Sequence, residues 1–208
     1  KSQVEEDALA VAFGQCVLVA AAGNDGVPNE PCDSQLKPKP MYPAAYNWVL
    51  GVMARTQNPD AKGDYLAGFS NFDGVPSTSI EYELMAPGVD VWSTLPGGQY
   101  AAWDGTSMAA PVVSGLAALA RTRWSDKDIY SSRFIMGQVA TTGPSLQGRT
   151  NDKGEPVAFY HAADAMAALT SVPKPQLSYL QHWLFDTTEQ AANNDNDGIV
   201  DAGETVDL

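Results

Sequence analysis

A serine that directly follows a Gly-Thr pair is the residue in this sequence best placed to do covalent chemistry. It is Ser107, in the stretch DGTSMAAP from Asp104 to Pro111. A helix is predicted to begin here, and helix N-termini favour negative charge. Ser107 could therefore attack a carbonyl carbon while first-turn N–H groups face the resulting oxyanion. In the alternative, Thr106 or Ser107 only caps the helix. Pro111 favours a functional site, because a proline inside a helix costs ~3 kcal/mol.

Several further stretches occur in a fixed order along the chain. They read AAGN (21–24), YPAAYNWVLGVMA (42–54), LAGFSNFDG (66–74), ELMAPGVDVWSTLPGG (83–98) and QYAAWDGTSMAAP (99–111). GTSMAAP resembles the active-site serine motif of the subtilisin-like serine proteases, and AAGN resembles their oxyanion-hole asparagine motif. The resemblance covers roughly residues 1–170. Several motifs in one order argue against chance agreement.

The resemblance implies roles for individual residues. Ser107 would be the nucleophile, and the Asn24 side chain and the Ser107 backbone N–H would donate hydrogen bonds to the oxyanion. For Asn24, the alternative is a turn residue in Gly-Asn-Asp-Gly. Ala21, Ala22 and Gly23 would form the wall of the primary specificity pocket. Met41 stands where the family commonly has glycine, and it would fill the base of the pocket and favour smaller apolar substrate side chains.

A serine protease of this kind also needs a base and an acid. The family's chain order is Asp, His, Ser, yet no histidine precedes Asn24. His161 and His182 follow the serine, and both are predicted to be structural, with His161 a surface or capping residue. We therefore expect the chain to be the C-terminal portion of a catalytic domain, whose partner segment carries Asp and His. The start at Lys1, with no initiator Met or signal peptide, predicts a processed or excised piece.

The acidic C-terminal stretch holds a second candidate site. Oxygen-bearing residues follow the spacing of a calcium loop, with Gly198 at its sixth position; the ligands would be Asn193, Asp195, Asp197, Ile199, Asp201 and Glu204. We call residues 193–204 the calcium loop and predict a structural calcium ion as the cofactor. The alternative is a solvated acidic linker. Residues 197–208 also resemble the beginning of β-sandwich modules appended to secreted bacterial enzymes.

These residues need elements that position them, and helix and strand signals alternate up to about residue 170. Apolar runs predict buried strands at 17–22 and 48–53, separated by a proline-rich loop. Helical spacing predicts helices at 4–12, 106–121, 126–138 and 161–169, the third opened by a Ser125–Asp128 capping box. The alternation agrees with the family fold. This is an α/β fold, a doubly wound and mainly parallel sheet with helices on both faces, here incomplete at the N-terminus.

The chain divides at a stiff Val172-Pro173-Lys174-Pro175 linker. Residues 1–172 are predicted to be the C-terminal part of the catalytic domain. Residues 173–208 are predicted to hold the linker, the calcium loop and the start of an accessory domain. This second part forms a short acidic extension.

Composition and charge exclude two classes of partner. The 208 residues carry 12 basic and 25 acidic side chains, a net charge of -13, which would repel a phosphate backbone and excludes nucleic acid. No apolar run approaches the roughly 18 residues of a membrane helix.

The two cysteines are not expected to pair with each other. The predicted strand that follows Cys16 would carry the chain away from it, so the Cα atoms of Cys16 and Cys32 are expected to lie too far apart for a disulfide. Cys32 could instead pair with a cysteine outside this chain, leaving Cys16 a buried free thiol.

The resemblance thus implies a secreted serine endopeptidase acting on proteins or peptides. Two alternatives stay open at this stage: a protease-like domain that has lost activity and serves in binding, and a calcium-dependent structural module.

Overall fold

The computed structural model describes residues 2–28, 37, 39–56, 65–74, 82–146 and 160–171. The chain separates into two compact units, Lys1–Gln176 and Leu177–Leu208, and the second lies outside the described residues. Within the described ranges, no helix has both the length and the apolar character needed to cross a membrane.

Four helices and eight strands make up the described part of the first unit. In chain order they are α1 Gln3–Phe13, β1 Leu18–Ala21, β2 Val49–Thr56, β3 Tyr65–Leu66, β4 Leu84–Pro87, β5 Val91–Leu95, β6 Gln99–Trp103, α2 Thr106–Arg123, α3 Ser132–Thr141, β7 Ser145–Leu146, β8 Tyr160–Ala162 and α4 Ala165–Thr170.

The main sheet is largely parallel, in the order β1-β2-β4-β8-β7, with β3 also paired to β2. The pairs β1–β2, β2–β4 and β4–β8 are parallel, and β3 and β7 pair antiparallel. Strands β5 and β6 form a separate antiparallel hairpin that leads into α2. The expected α/β fold with a mainly parallel sheet is confirmed.

Helix α2 packs against β1, β2 and β4 and buries small and branched side chains there: Ala109, Val113, Leu116, Ala117 and Ala120. Part of its remaining surface is apolar yet uncovered by described residues, since Val112 is 41% exposed and Leu119 53%. Among the described strands, β1 lies at one end of the sheet, and its four residues are half-buried and not fully buried as predicted.

Buried aromatic and sulfur side chains form the core cluster beside the strands. Met53 and Met85 lie opposite each other in the β2–β4 register and pack with Phe72 and Tyr82 in one buried cluster. Tyr46 ties helix α1 to this region, because its hydroxyl donates to the Ser2 carbonyl oxygen at 3.0 Å. Burial raises the pKa of Tyr46 above its ordinary 10.0.

The predicted starting residues of two helices are wrong. Helix α3 begins at Ser132, where the Ser131 side chain accepts from the Phe134 N–H. The Asp126 carboxylate instead caps a turn, accepting from the N–H groups of Asp128 and Ile129.

The last predicted helix was expected to begin at His161. That residue instead pairs with Leu84 as part of β8, and α4 begins at Ala165 after an Asp164 cap.

The thiol of Cys16 is free, as expected, but exposed and not buried, because α1 ends before it and nothing described covers it. Cys32 lies outside the described residues.

Candidate active site

The end of β1 and the start of α2 meet through one asparagine side chain. Asn24 Oδ1 accepts from the Thr106 N–H at 2.9 Å and from the Thr106 hydroxyl at 2.9 Å. The same hydroxyl accepts from the Gly23 N–H at 3.2 Å. Thr106 is fully buried, whereas Asn24 is exposed. A buried threonine therefore fixes an exposed asparagine at the helix N-terminus.

These bonds also decide which way the Asn24 amide faces. A backbone N–H can only donate, so the atom that faces the Thr106 N–H must be the amide oxygen. The Nδ2 group is then turned away from Thr106. A Cβ at Gly105 would lie 3.6 Å from Asn24 Nδ2 and 3.7 Å from the Ser107 backbone nitrogen. The two nitrogens thus border the same small space beside Gly105, a residue whose φ of +152° favours glycine.

Ser107 lies in the first turn of α2 and is exposed. Among the described residues, none forms a hydrogen bond with its hydroxyl. The first-turn N–H groups of a helix carry the positive end of the helix dipole. In α2 the Thr106 N–H donates to Asn24 Oδ1 and the N–H groups of Met108 and Ala109 donate to the Gly105 carbonyl oxygen, whereas the Ser107 N–H has no acceptor among the described residues. Pro111 lies inside the helix and has no N–H to donate to the Ser107 carbonyl four residues before it. Within the described residues, the site therefore joins an exposed hydroxyl to one backbone donor without an acceptor, the Ser107 N–H.

The simple capping alternative for Thr106 and Ser107 is wrong. The N-cap residue is Gly105, which makes no side-chain cap hydrogen bond. Asn24, from 82 residues earlier, accepts the first helical N–H instead. The sequence motifs contained Asn24 and Thr106, but no signal in them indicated this contact.

A further asparagine beside this site, Asn71, was not singled out from the sequence. It lies in the LAGFSNFDG stretch and is fully buried against the segment that carries Asn24. Its side-chain amide donates to the Ala22 carbonyl oxygen at 3.0 Å. A polar residue amid the apolar positions of that stretch was the only sequence signal for it.

The four residues assigned to the pocket lie close together. Ala21 ends β1, Ala22 is fully buried, and Gly23 follows with a φ of +103°. A Cβ at Gly23 would lie 3.1 Å from the methyl group of Met41. Met41 is held by its N–H, which donates to the Tyr82 hydroxyl at 3.0 Å. The Met41 side chain is therefore in contact distance of the segment Ala21–Gly23.

The remaining predicted site residues lie elsewhere. His161 Nδ1 is 2.8 Å from the Gly143 carbonyl oxygen, a contact that ties β8 to the residues before β7. His182 and all six predicted ligands of the calcium loop are outside the described residues. Across the described ranges, no group of three or more His, Cys, Asp or Glu side chains could hold a metal ion.

Comparison with known proteins shows which family this chain is similar to. Residues 2–152 match the model of the Subtilase family. Over 134 residues the chain is 37% identical to a thermostable alkaline protease of Halalkalibacterium halodurans, covering 64% of this chain and 31% of that protein. Over 125 residues it is 38% identical to subtilisin DY of Bacillus licheniformis, covering 60% of this chain and 39% of that protein. The chain thus spans about a third of the length of these relatives.

Solved structures agree on the fold. A protease from Pseudoalteromonas arctica superposes with a TM-score of 0.59 at 25% identity, covering 81% of this chain and 46% of that chain. The prenylagaramide maturation protease PagA superposes with a TM-score of 0.60 at 23% identity, covering 81% of this chain and 55% of that chain, and shares the fold. Because the family match spans most of its length, this chain belongs to the subtilase family.

Proposed function

We propose that this chain is the serine-bearing part of a serine endopeptidase that hydrolyses protein or peptide substrates. Ser107 is the nucleophile, and Asn24 Nδ2 and the Ser107 N–H are the oxyanion donors. The observation that carries this proposal is the position of the two nitrogens, both beside Gly105 and adjacent to an exposed serine. Donors fixed before the reaction stabilise the developing charge at no cost of reorganisation.

The proposed reaction has two steps. The Ser107 oxygen attacks the peptide carbonyl carbon as its proton passes to a base, and the oxyanion lies between the two nitrogens. The C–N bond then breaks, the amine leaves with that proton, and the acyl group remains on Ser107. Water attacks the ester in the second step, which releases the carboxylic acid and restores the serine.

The base and its orienting acid are proposed to come from a segment outside the 208 residues. His161 is engaged with Gly143. Two surfaces of the described residues support a partner segment: β1 is a half-buried end strand of the described sheet, and α2 leaves Val112 and Leu119 exposed. Unpaired strand edges and apolar helix faces are the surfaces that further chain would cover.

Specificity, location and calcium binding complete the proposal. The Met41 side chain beside Gly23 would reduce the space for a substrate side chain and favour small apolar residues. We propose secretion as the location, on the family resemblance of the sequence motifs. The spacing of acidic residues in the calcium loop supports a structural calcium ion.

Covalent labelling tests the assignment of the nucleophile. A fluorophosphonate should label the full-length protein that contains this chain at Ser107, because only an activated serine reacts quickly. The Ser107→Ala variant should not be labelled. Ser114→Ala is the matched control, since Ser114 is an exposed serine of the same helix, bonded to the Ala110 carbonyl at 3.1 Å, and should be labelled like wild type.

Two results would contradict the proposal. Labelling that persists in Ser107→Ala would place the nucleophile elsewhere. A wild-type protein that is folded but never labelled would favour the inactive, protease-like binding domain.

A further inference from the structure

We infer that Asn71 is the positioning residue that holds Asn24 at the oxyanion site, an inference that rests on the proposed function. Residues 22–27, here called the oxyanion loop, connect β1 to the proline-rich segment and carry Asn24. The loop belongs to no helix or strand, so its backbone groups need other partners.

The Asn71 amide supplies these partners. Its Nδ2 donates to the Ala22 carbonyl oxygen at 3.0 Å, and its Oδ1 accepts from the N–H groups of Asp25 at 3.0 Å and Val27 at 3.3 Å. Its backbone N–H donates to the Gly23 carbonyl oxygen at 2.9 Å. One residue thus bonds to four residues of the loop.

The pattern of contacts brackets Asn24. Asn71 bonds to residues on both sides of Asn24, while the Asn24 side chain bonds to Thr106. The packing is close, because a Cβ at Gly23 would lie only 2.5 Å from Asn71 Nδ2. The Cα of Asn24, and with it the reach of its amide, is therefore set by the buried Asn71 side chain.

Asn71 is itself anchored to the sheet. The hydroxyl of the neighbouring Ser70 donates to the Asn71 carbonyl oxygen at 2.9 Å and accepts from the Ala54 N–H of β2 at 3.0 Å. Both Ser70 and Asn71 are fully buried. A rigid strand, two buried polar side chains and a loop thus form a continuous support under the oxyanion donor.

An amide is the side chain that meets this requirement, since the site needs a donor and an acceptor on one planar group. In Asn71→Asp the shape is kept, but a carboxylate oxygen faces the Ala22 carbonyl oxygen in place of a donor. A matched control exists in α3. Gln138 is also buried and donates its Nε2 group to the carbonyl oxygens of Ala168 at 3.1 Å and Ser171 at 3.2 Å. Gln138→Glu makes the same amide-to-carboxylate change at a buried side chain that bonds to backbone carbonyls far along the chain from the oxyanion loop.

The test is a double-mutant cycle on the full-length protein, with peptide hydrolysis measured for Asn24→Ala, Asn71→Asp and the combination. Asn71→Asp should lower kcat about 10- to 100-fold with little change in KM, since the donor acts in the transition state. Adding it to Asn24→Ala should lower kcat by no more than about threefold further, because residues that act through one group are not additive. Gln138→Glu should leave kcat nearly unchanged alone and in combination.

The inference would be overturned if the fold-losses in kcat of Asn24→Ala and Asn71→Asp multiplied in the combined variant. It would also be overturned if Asn71→Asp raised KM and left kcat unchanged. Where Asn71→Asp does not fold, Asn71→Ser supplies the same comparison, because its short hydroxyl cannot span the loop.

A second readout does not depend on catalysis. Hydrogen exchange of the Thr106 backbone N–H, which donates to Asn24, should speed up in the Asn71 variant and not in Gln138→Glu; equal rates in the two variants would also overturn the inference. A wild-type protein without hydrolysis would count against the proposed function, and the exchange rates would still decide the role of Asn71.

Discussion

Replacing Thr106 with valine removes one hydroxyl from a fully buried position and keeps the shape of the side chain. The hydroxyl bridges two groups of the oxyanion loop, accepting from the Gly23 N–H at 3.2 Å and donating to Asn24 Oδ1 at 2.9 Å. Valine leaves the Gly23 N–H without that acceptor. Asn24 keeps one of its two bonds, from the Thr106 backbone N–H.

The loss of stability follows from these two bonds. A donor left unsatisfied costs ~1–3 kcal/mol, and the second bond contributes ~1 kcal/mol net. Because Gly23 is half-buried and water can reach part of it, we expect the free energy of unfolding to fall by about 2 kcal/mol. For a domain of this size, that corresponds to a fall in Tm of roughly 4–8 °C.

The kinetic loss follows from the freedom that Asn24 gains. Removing an oxyanion donor outright lowers kcat ~10²–10³-fold. A donor that keeps one of two anchors should lose less, about 10-fold in kcat, with KM little changed. Thr106→Ser retains the hydroxyl and should behave nearly like wild type.

Thermal unfolding and peptide hydrolysis by wild type, Thr106→Val and Thr106→Ser check both effects. A serine variant as impaired as the valine variant would show that the methyl group, and not the hydroxyl, supports the site. A valine variant with wild-type kcat would refute the positioning of Asn24 by this hydroxyl.

Three further predictions concern other parts of the chain. Gly23→Ala should unfold in urea with a free energy about 1–3 kcal/mol lower, because its Cβ would meet Asn71 Nδ2 at 2.5 Å. Gly97→Ala is the control, because Gly97 also has a positive φ but a Cβ there would have no atom within 4 Å. An equal loss of unfolding free energy in Gly97→Ala would contradict the clash with Asn71 as the cause. Calorimetry with calcium should give binding heat for the calcium loop that is lost in Asp195→Ala and Glu204→Ala, and equal heats would place the ion elsewhere. The 208-residue chain alone should not hydrolyse peptides, since a serine without a proton acceptor is a weak nucleophile; hydrolysis that requires the serine would place the base within these residues.

Local patterns predicted the elements that carry the nucleophile. The apolar run at 17–22 contains β1, Leu18–Ala21, and the small-residue segment predicted at 106–121 is α2, Thr106–Arg123. Both signals lie within the segment itself, since consecutive apolar residues are typical of strands in a parallel sheet and a run of alanines and other small residues favours a helix. The predicted position of Ser107 in the first turn of a helix is confirmed.

Contacts between distant residues could not be predicted in this way. Asn71 meets Asp25 across 46 residues and Thr106 meets Asn24 across 82, and no periodicity links such positions. His161 was assigned to a helix because alanines follow it, but its pairing with Leu84 of β4 outweighs that local preference.

The oxyanion site and the general base should be distinguishable by how kcat/KM depends on pH. Neither Asn24 nor Thr106 carries a group that titrates near neutral pH, so their variants should lower kcat/KM by the same factor at every pH. The base must lose its proton before it can accept one from Ser107, so its pKa shapes the profile for wild type and variants alike. Profiles measured for wild type, Asn24→Ala and Thr106→Val should therefore be parallel on a logarithmic scale. A profile whose acid limb moves in Thr106→Val would mean that the hydroxyl contacts the base as well as Asn24, and its role would then extend beyond holding the oxyanion donor.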